Sequence, residues 1–339
     1  MAIFTKNTRV LIMMNTVKTG KIKSGNITVW DVENIEKILS DISRFNLNTV
    51  NVPIQIDIPD VTSSIMAVNQ SQKKKAITLI EELLRHNIQI IVEPFPFIQQ
   101  GGIGETEWNP SNINDFFWHW KTIVLQDILT SITNQYTIYG LKIASNFVNM
   151  EYAEGYWNDV IDFVRRQYQG NVLYQMNWWV TAIWDSIYEK RFIEKINRPY
   201  LKRVDIVSID SWFEVSDKNI PSYTETKQSL FSTTVYNREQ NIIQQLEQLH
   251  QATGKPVYFG GFNIPARELG LKYPWNPDVS AVFSTDVQIN GWRAYREVLE
   301  IKSYFKGFSI WFIGSHDTNH AYQIHSEAAE KIISGWYEK

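Results

Sequence analysis

The feature that most constrains this chain is an alternation, repeated eight times, of a short apolar run and a longer amphipathic stretch. The candidate strands are Val10–Met14, Thr49–Pro53, Ile88–Glu93, Gly140–Ala144, Val172–Asn177, Val204–Asp210, Val257–Gly261 and Gly307–Phe312. Each is rich in Val, Ile, Tyr or Phe and short enough for a strand buried on both faces. Between them lie stretches with helical spacing. In Asp31–Phe45, Val32, Ile35, Ile38, Leu39 and Ile42 form one stripe; in Lys73–His86, Ile77, Ile80, Leu83 and Leu84 do the same. Phe116–Ile132, Glu151–Tyr168, Ile183–Ile196, Asn241–Ala252, Gly291–Tyr304 and Ser326–Trp336 complete the set. Eight strands, each followed by a helix, predict an α/β fold: a single (β/α)8 TIM barrel spanning residues 1–339. A doubly wound sheet would announce itself by a glycine-rich turn after the first strand. Here the first glycine is Gly20, and Gly101-Gly102-Ile103-Gly104 lacks the Lys-Ser/Thr of a phosphate loop.

In such a barrel the chemistry sits at the C-terminal ends of the strands. Those ends hold Asn15, Glu93, Asn146, Asn177 with Trp178 and Trp179, Asp210 with Trp212, and Trp311. Neighbouring loops add Trp108, Trp275, and His316 with Asp317. Composition enters at this point. Aromatic residues make up 14% of the chain, with 13 Trp. A core absorbs many of them, but flat apolar faces beside amides and carboxylates are also what a sugar site requires. The predicted ligand-binding residues are Asn146, Asn177, Trp178, Trp212, Trp311, Trp108, Trp275 and His316, and the expected partner is an oligosaccharide or polysaccharide.

Several classes fall away. The net charge is −3, without the basic excess of a dedicated nucleic-acid binder. There is no cysteine, so disulfides, thiolate metal sites and cysteine nucleophiles are excluded. No stretch approaches the roughly 18 apolar residues of a membrane span. His316 and His320 are four apart, but in a loop-like segment, so neither a metal nor a cofactor is expected. Val10–Met14 is too short for a signal-peptide core and lacks a small-residue cleavage site.

The motifs Asn48-Thr49-Val50, Tyr174-Gln175-Met176-Asn177-Trp178, Ile209-Asp210-Ser211-Trp212 and Lys255-Pro256-Val257-Tyr258-Phe259 occur in an order that resembles the clan A glycoside hydrolases. They look most like the family 113 β-mannanases and the related barrel domains of phage-tail and gene-transfer-agent proteins. The resemblance implies a (β/α)8 fold and metal-free retaining hydrolysis of β-linked hexose polymers. It also implies one Glu directly after an Asn at the end of the fourth strand and another at the end of the seventh. In this chain Phe147 follows Asn146, and Gly261, or Gly260 under a one-residue slip, holds the second place. Neither residue type can protonate a leaving group or attack an anomeric carbon.

Three functional expectations follow. The first is a barrel that binds a cell-surface or wall polysaccharide without the family's retaining hydrolysis, as a phage tail or baseplate component would. The second is a glycoside hydrolase using relocated carboxylates, for which Glu93, Asp210, Glu151 and Asp317 are the candidates. The third is an assembly protein with a vestigial site, homo-oligomeric or bound to other assembly partners. The location expected is the virion or extracellular space for a phage-tail protein, and the cytoplasm otherwise.

Overall fold

The computed structural model describes residues 20–338, so Val10–Met14 and Asn15 lie outside the described residues. The strand that opens the barrel is Ile22–Asn26 (β1), followed by Thr49–Ile58 (β2) and a two-residue strand, Ala67–Val68 (β3). Then come Gln89–Ile98 (β4), Gly140–Ser145 (β5), Asn171–Asn177 (β6), Ile206–Asp210 (β7), Val257–Phe262 (β8) and Phe305–Ile310 (β9). All except β3 run parallel, each beside the next, and β1 pairs with both β2 and β9. The eight parallel strands therefore close on themselves, and only the two-residue β3 lies outside the ring, on β2. This is the (β/α)8 barrel that the alternation of runs predicts.

The composition of β1 explains why an apolar scan passes over it. Its sequence is Ile-Lys-Ser-Gly-Asn, yet all five residues are buried. The side chains of Ser24 and Asn26 face a hydrogen-bonded interior, while Lys23 donates to the Ser334 carbonyl on the outer ring. Ser24 Oγ meets Tyr258 Oη at 2.5 Å and donates to the Phe308 carbonyl at 2.9 Å. Asn26 Nδ2 donates to the Gly260 carbonyl (2.9 Å), and Asn51 Nδ2 donates to Asn26 Oδ1 (2.7 Å). A buried polar group is tolerated where its partners are supplied.

Two strands outrun their apolar cores. β2 and β4 stay in unbroken register from Thr49 opposite Gln89 to Ile58 opposite Ile98, although Pro94 and Pro96 interrupt β4. On its other side β4 pairs with β5 only at Ile91 and Val92. The prolines therefore fall where β4 has a single neighbour and an N–H can be spared. As a result Glu93 does not end its strand; it sits mid-strand, inside the barrel.

The helices form the outer ring. Ile35–Arg44, Gln70–Arg85, Glu154–Arg165, Ser186–Ile196, Ile242–Thr253, Thr285–Leu299 and Glu327–Ser334 follow the predicted stripes to within a few residues at most of their ends. Side-chain caps fix several starts: Asn69 accepts from Gln72 N–H (3.0 Å) and Asn241 from Gln244 N–H (2.9 Å). Ile113–His119 continues in wider turns to Thr133. None of the described helices is long and apolar enough to cross a membrane.

Closure of the barrel at the β1–β9 seam depends on one glycine. Gly307 lies opposite Ile22 with φ at +143°, and a Cβ there would stand 1.8 Å from the Ile22 carbonyl oxygen. Backbone cannot yield as a flexible side chain does. Gly307→Ala is expected to destabilise the protein by roughly 3 kcal/mol or more. Chemical denaturation checks this, and a variant within about 1 kcal/mol of wild type would contradict the seam.

Candidate functional site

The C-terminal ends of the strands open into a cavity of about 220 Å³. Glu93 and Phe95 come from β4, Ser145 and Asn146 from the end of β5, Gln175 from β6 and Asp210 from the last position of β7. Glu105 and Thr106 enter from the loop after β4; Trp178, Trp212, Trp275, Trp311 and Tyr322 form the walls. A second cavity of about 190 Å³ adjoins it, bounded by Ile27 to Trp30, Pro53, Phe95 to Phe97 and the Gly101–Glu105 loop. Phe95, Glu105 and Trp311 belong to both. Together the two fall in the range of small-molecule sites, roughly 300–1,000 Å³.

Three carboxylates face this space, and their surroundings differ. Glu93 is held as an ion pair at the floor: Lys142 Nζ donates to Oε2 at 2.6 Å and Ser145 Oγ to Oε1 at 2.7 Å. Both members are buried, Lys142 completely. Asp210 and Glu105 form no ion pair among the described residues, although the charge of Lys142 is felt by both, and they share one amide. Asn146 Nδ2 donates to Asp210 Oδ2 at 3.0 Å and to Glu105 Oε1 at 3.3 Å, one N–H to each. Burial raises the pKa of Asp210 well above the ordinary aspartate range; the charge of Glu105 adds to this, and a hydrogen bond from Trp212 opposes it. Burial likewise raises Glu105, with the Asn146 hydrogen bond pulling the other way. The two carboxylates are bridged by the Asn146 amide, and the charge of each disfavours ionisation of the other.

The chain makes room for this arrangement at two places. Asn146 takes a left-handed conformation (φ 62°), which Asn tolerates better than most residues. Its amide thereby turns into the mouth while the next residue, Phe147, turns away. Phe147 is fully buried, with ring centroids 4.9 Å from Trp120 and 5.4 Å from Trp108. At the end of β8, a Cβ on Gly261 would lie 2.1 Å from Asp210 Oδ1, and one on Gly260 would lie 2.1 Å from Ser208 Oγ. The Asp210 carboxylate thus fills the space that a side chain at 261 would need.

The aromatic walls are mutually braced. Trp212 meets Trp311 edge to face at 6.4 Å and Tyr322 at 5.4 Å. Tyr322 is anchored by its hydroxyl, which donates to the Pro274 carbonyl at 2.5 Å. Trp275, 45% exposed, stands at the rim.

The structure brings together Glu93, Asn146, Trp178, Asp210, Trp212, Trp275 and Trp311. It does not bring the other expected residues to the mouth. Trp108 belongs to the core: it is fully buried and its indole N–H donates to the Ser63 carbonyl at 2.9 Å. Asn177 ends β6 beside the cavity rather than lining it, and its Oδ1 is buried without a hydrogen-bond partner among the described residues. Glu151 is a buried structural acid whose two oxygens both accept from Lys195 Nζ at 2.6 Å. His316 and Asp317 lie exposed on the loop after β9 and line neither cavity. Among the described residues no three His, Cys, Asp or Glu side chains gather as a metal site. Glu105, Gln175 and Tyr322 are the additions. Glu105 carries no strand-end signal, because it enters from a loop; its place just after the glycine-rich turn was the only hint.

Residues 105–331 match the family model for Glycoside Hydrolase Family 113. No curated protein matches the chain. Among solved structures, a GH113 β-1,4-mannanase in a complex superposes with a TM-score of 0.73 at 16% identity, covering 94% of this chain and 99% of that one. The GH113 β-mannanase of Alicyclobacillus acidocaldarius in complex with ManMIm gives 0.71 at 14% identity, covering 93% and 96%. A family 5 mannosidase of Rhizomucor miehei gives 0.61 at 11% identity, covering 94% and 92%. At these identities the likeness to the solved structures is one of fold.

The raised proton affinity of Asp210 makes a stability prediction. Folding raises the pKa of Asp210, so the folded state binds a proton more tightly than the unfolded chain. Stability contributed this way is present below the unfolded value, about 4, and is lost as pH rises toward the folded value. Asp210→Asn removes that loss. Its melting temperature is expected to exceed wild type by a few degrees at neutral pH, the gap closing as pH falls toward about 4. A gap independent of pH would contradict the assignment.

Proposed function

Since the chain belongs to glycoside hydrolase family 113, we propose that its mouth recognises a β-linked hexose polysaccharide, of the kind found on cell surfaces and in walls. The observation that carries this reading is the joint cavity itself. Trp178, Trp212, Trp275 and Trp311 surround Asn146, Gln175, Glu105 and Asp210 at the C-terminal end of the barrel. Indole faces stack on the C–H faces of a pyranose, while the amides and carboxylates bond its hydroxyls. Similar solved structures are described as β-1,4-mannanases, which supports a β-1,4-linked mannan as the first ligand to try. Positions 147, 260 and 261 carry Phe, Gly and Gly, so the carboxylates that the family resemblance expects there are not available to this reading.

Titration of the indole fluorescence with β-1,4-mannohexaose tests it. Saturable binding is expected, weakened about tenfold or more, or ~1.4 kcal/mol, in Trp311→Ala and Trp212→Ala. Trp118→Ala, on an exposed helix residue outside both cavities, should bind as wild type does. Equal affinity in all three variants would place the ligand elsewhere.

A further inference from the structure

Glu105 stands where the two cavities meet, so a glycan long enough to occupy both must pass it. On the inner side, the Asn146 amide nitrogen holds Glu105 Oε1 at 3.3 Å and Asp210 Oδ2 at 3.0 Å. Those two oxygens therefore lie within two hydrogen-bond lengths of each other, roughly 6 Å. Retaining glycosidases set their two carboxyl groups about 5–5.5 Å apart, inverting ones roughly 6.5–9.5 Å. The Asn146 oxygen, buried and without a partner among the described residues, is left to accept from a ligand hydroxyl. Glu93 is committed to Lys142 and Ser145, which leaves Asp210 and Glu105 as the pair with free lone pairs.

We propose that Glu105 and Asp210 are a relocated catalytic pair that cleaves the β-glycosidic bond of a glycan spanning the two cavities. This rests on the reading that the mouth takes a β-linked hexose glycan. Asp210, the more buried of the two, is the acid; Glu105, at the junction, is the nucleophile. In the first step Asp210 gives its proton to the glycosidic oxygen and the bond from that oxygen to the anomeric carbon breaks. The leaving sugar departs as an alcohol, and Glu105 forms an ester to the anomeric carbon. In the second step a water gives a proton to Asp210 and its oxygen attacks the anomeric carbon. The ester bond breaks, and Glu105 leaves as a carboxylate. The sum is one glycosidic bond and one water converted into two sugars, with the anomeric configuration kept. Burial raises the proton affinity of both acids, more strongly that of Asp210, which supports Asp210 rather than Glu105 as the acid. The glycine at 261 also acquires a reason, since any side chain there would displace the Asp210 carboxylate.

The test uses the full chain with β-1,4-mannohexaose, following reducing-end release and indole fluorescence in parallel. Wild type is expected to release shorter oligosaccharides whose first-formed anomer, seen by proton NMR, is β. Glu105→Gln and Asp210→Asn should each lower kcat by about 100-fold or more while Kd stays within about threefold. Added azide should restore turnover to Glu105→Ala by trapping the anomeric carbon as a glycosyl azide. Should Asp210→Asn fail to fold, the Glu105 variants decide alone. Binding by wild type without any release, undiminished turnover in Glu105→Gln, or an α product would each overturn the pair and leave the binding reading standing. Absence of binding overturns both.

Discussion

Everything at the mouth depends on how the barrel interior satisfies the polar groups it buries. Lys142 is a fully buried cation, and its charge is tolerable there because Glu93 lies 2.6 Å away, itself held by Ser145. Removing either partner would strand the other charge in a medium that solvates it poorly. Beneath this pair, Ser24, Asn26, Asn51 and Tyr258 form a second hydrogen-bonded group. These groups lie beside a smaller aliphatic cluster of Ile22, Ile91, Leu173 and Ile206, the kind of residue that commonly fills such barrels. They fix the strand ends relative to one another, and hence the positions from which Asn146, Gln175 and Asp210 project.

On this floor, two local features set the character of the site. The left-handed turn at Asn146 sends one side chain into the mouth and the next into the aromatic shell behind it. A glycine at 261 leaves a volume that Asp210 enters from the neighbouring strand. The carboxylates at the mouth thus come from β4, from the loop after it and from β7, while the ends of β5 and β8 supply Asn146 and glycines. The same fold that positions carboxylates on one pair of elements can position them on another, because all the strand ends and their loops converge on a single opening.

The fold was legible in the sequence because parallel strands buried on both faces must be apolar runs, and the helices around them must show a stripe. Seven of the eight barrel strands were found this way. The strand that was missed, Ile22–Asn26, is polar because its Ser24 and Asn26 side chains bond residues of other strands across the interior, as distant as Tyr258 and Gly260. The aromatic excess was legible as an excess but not in its division. Trp108, Trp120, Trp157, Trp292 and Trp336 are wholly buried, whereas Trp178, Trp212, Trp275 and Trp311 line the mouth. Trp108 and Trp275 each sit in a loop next to an Asn, and nothing local separates the one in the core from the one at the rim.

Taken alone, the sequence determined the barrel, the end of it that would carry chemistry, and the residues at positions 147, 260 and 261 that depart from the expected pair. These follow from periodicity and residue type, which are properties of neighbours along the chain. Tertiary structure decided which acids are free. Glu93 and Glu151 are neutralised by lysines far away in sequence, Lys142 and Lys195, while Glu105 meets Asp210 only through Asn146. A carboxylate's charge and proton affinity are set by what surrounds it in space, and closing a barrel brings together residues that no spacing along the chain relates.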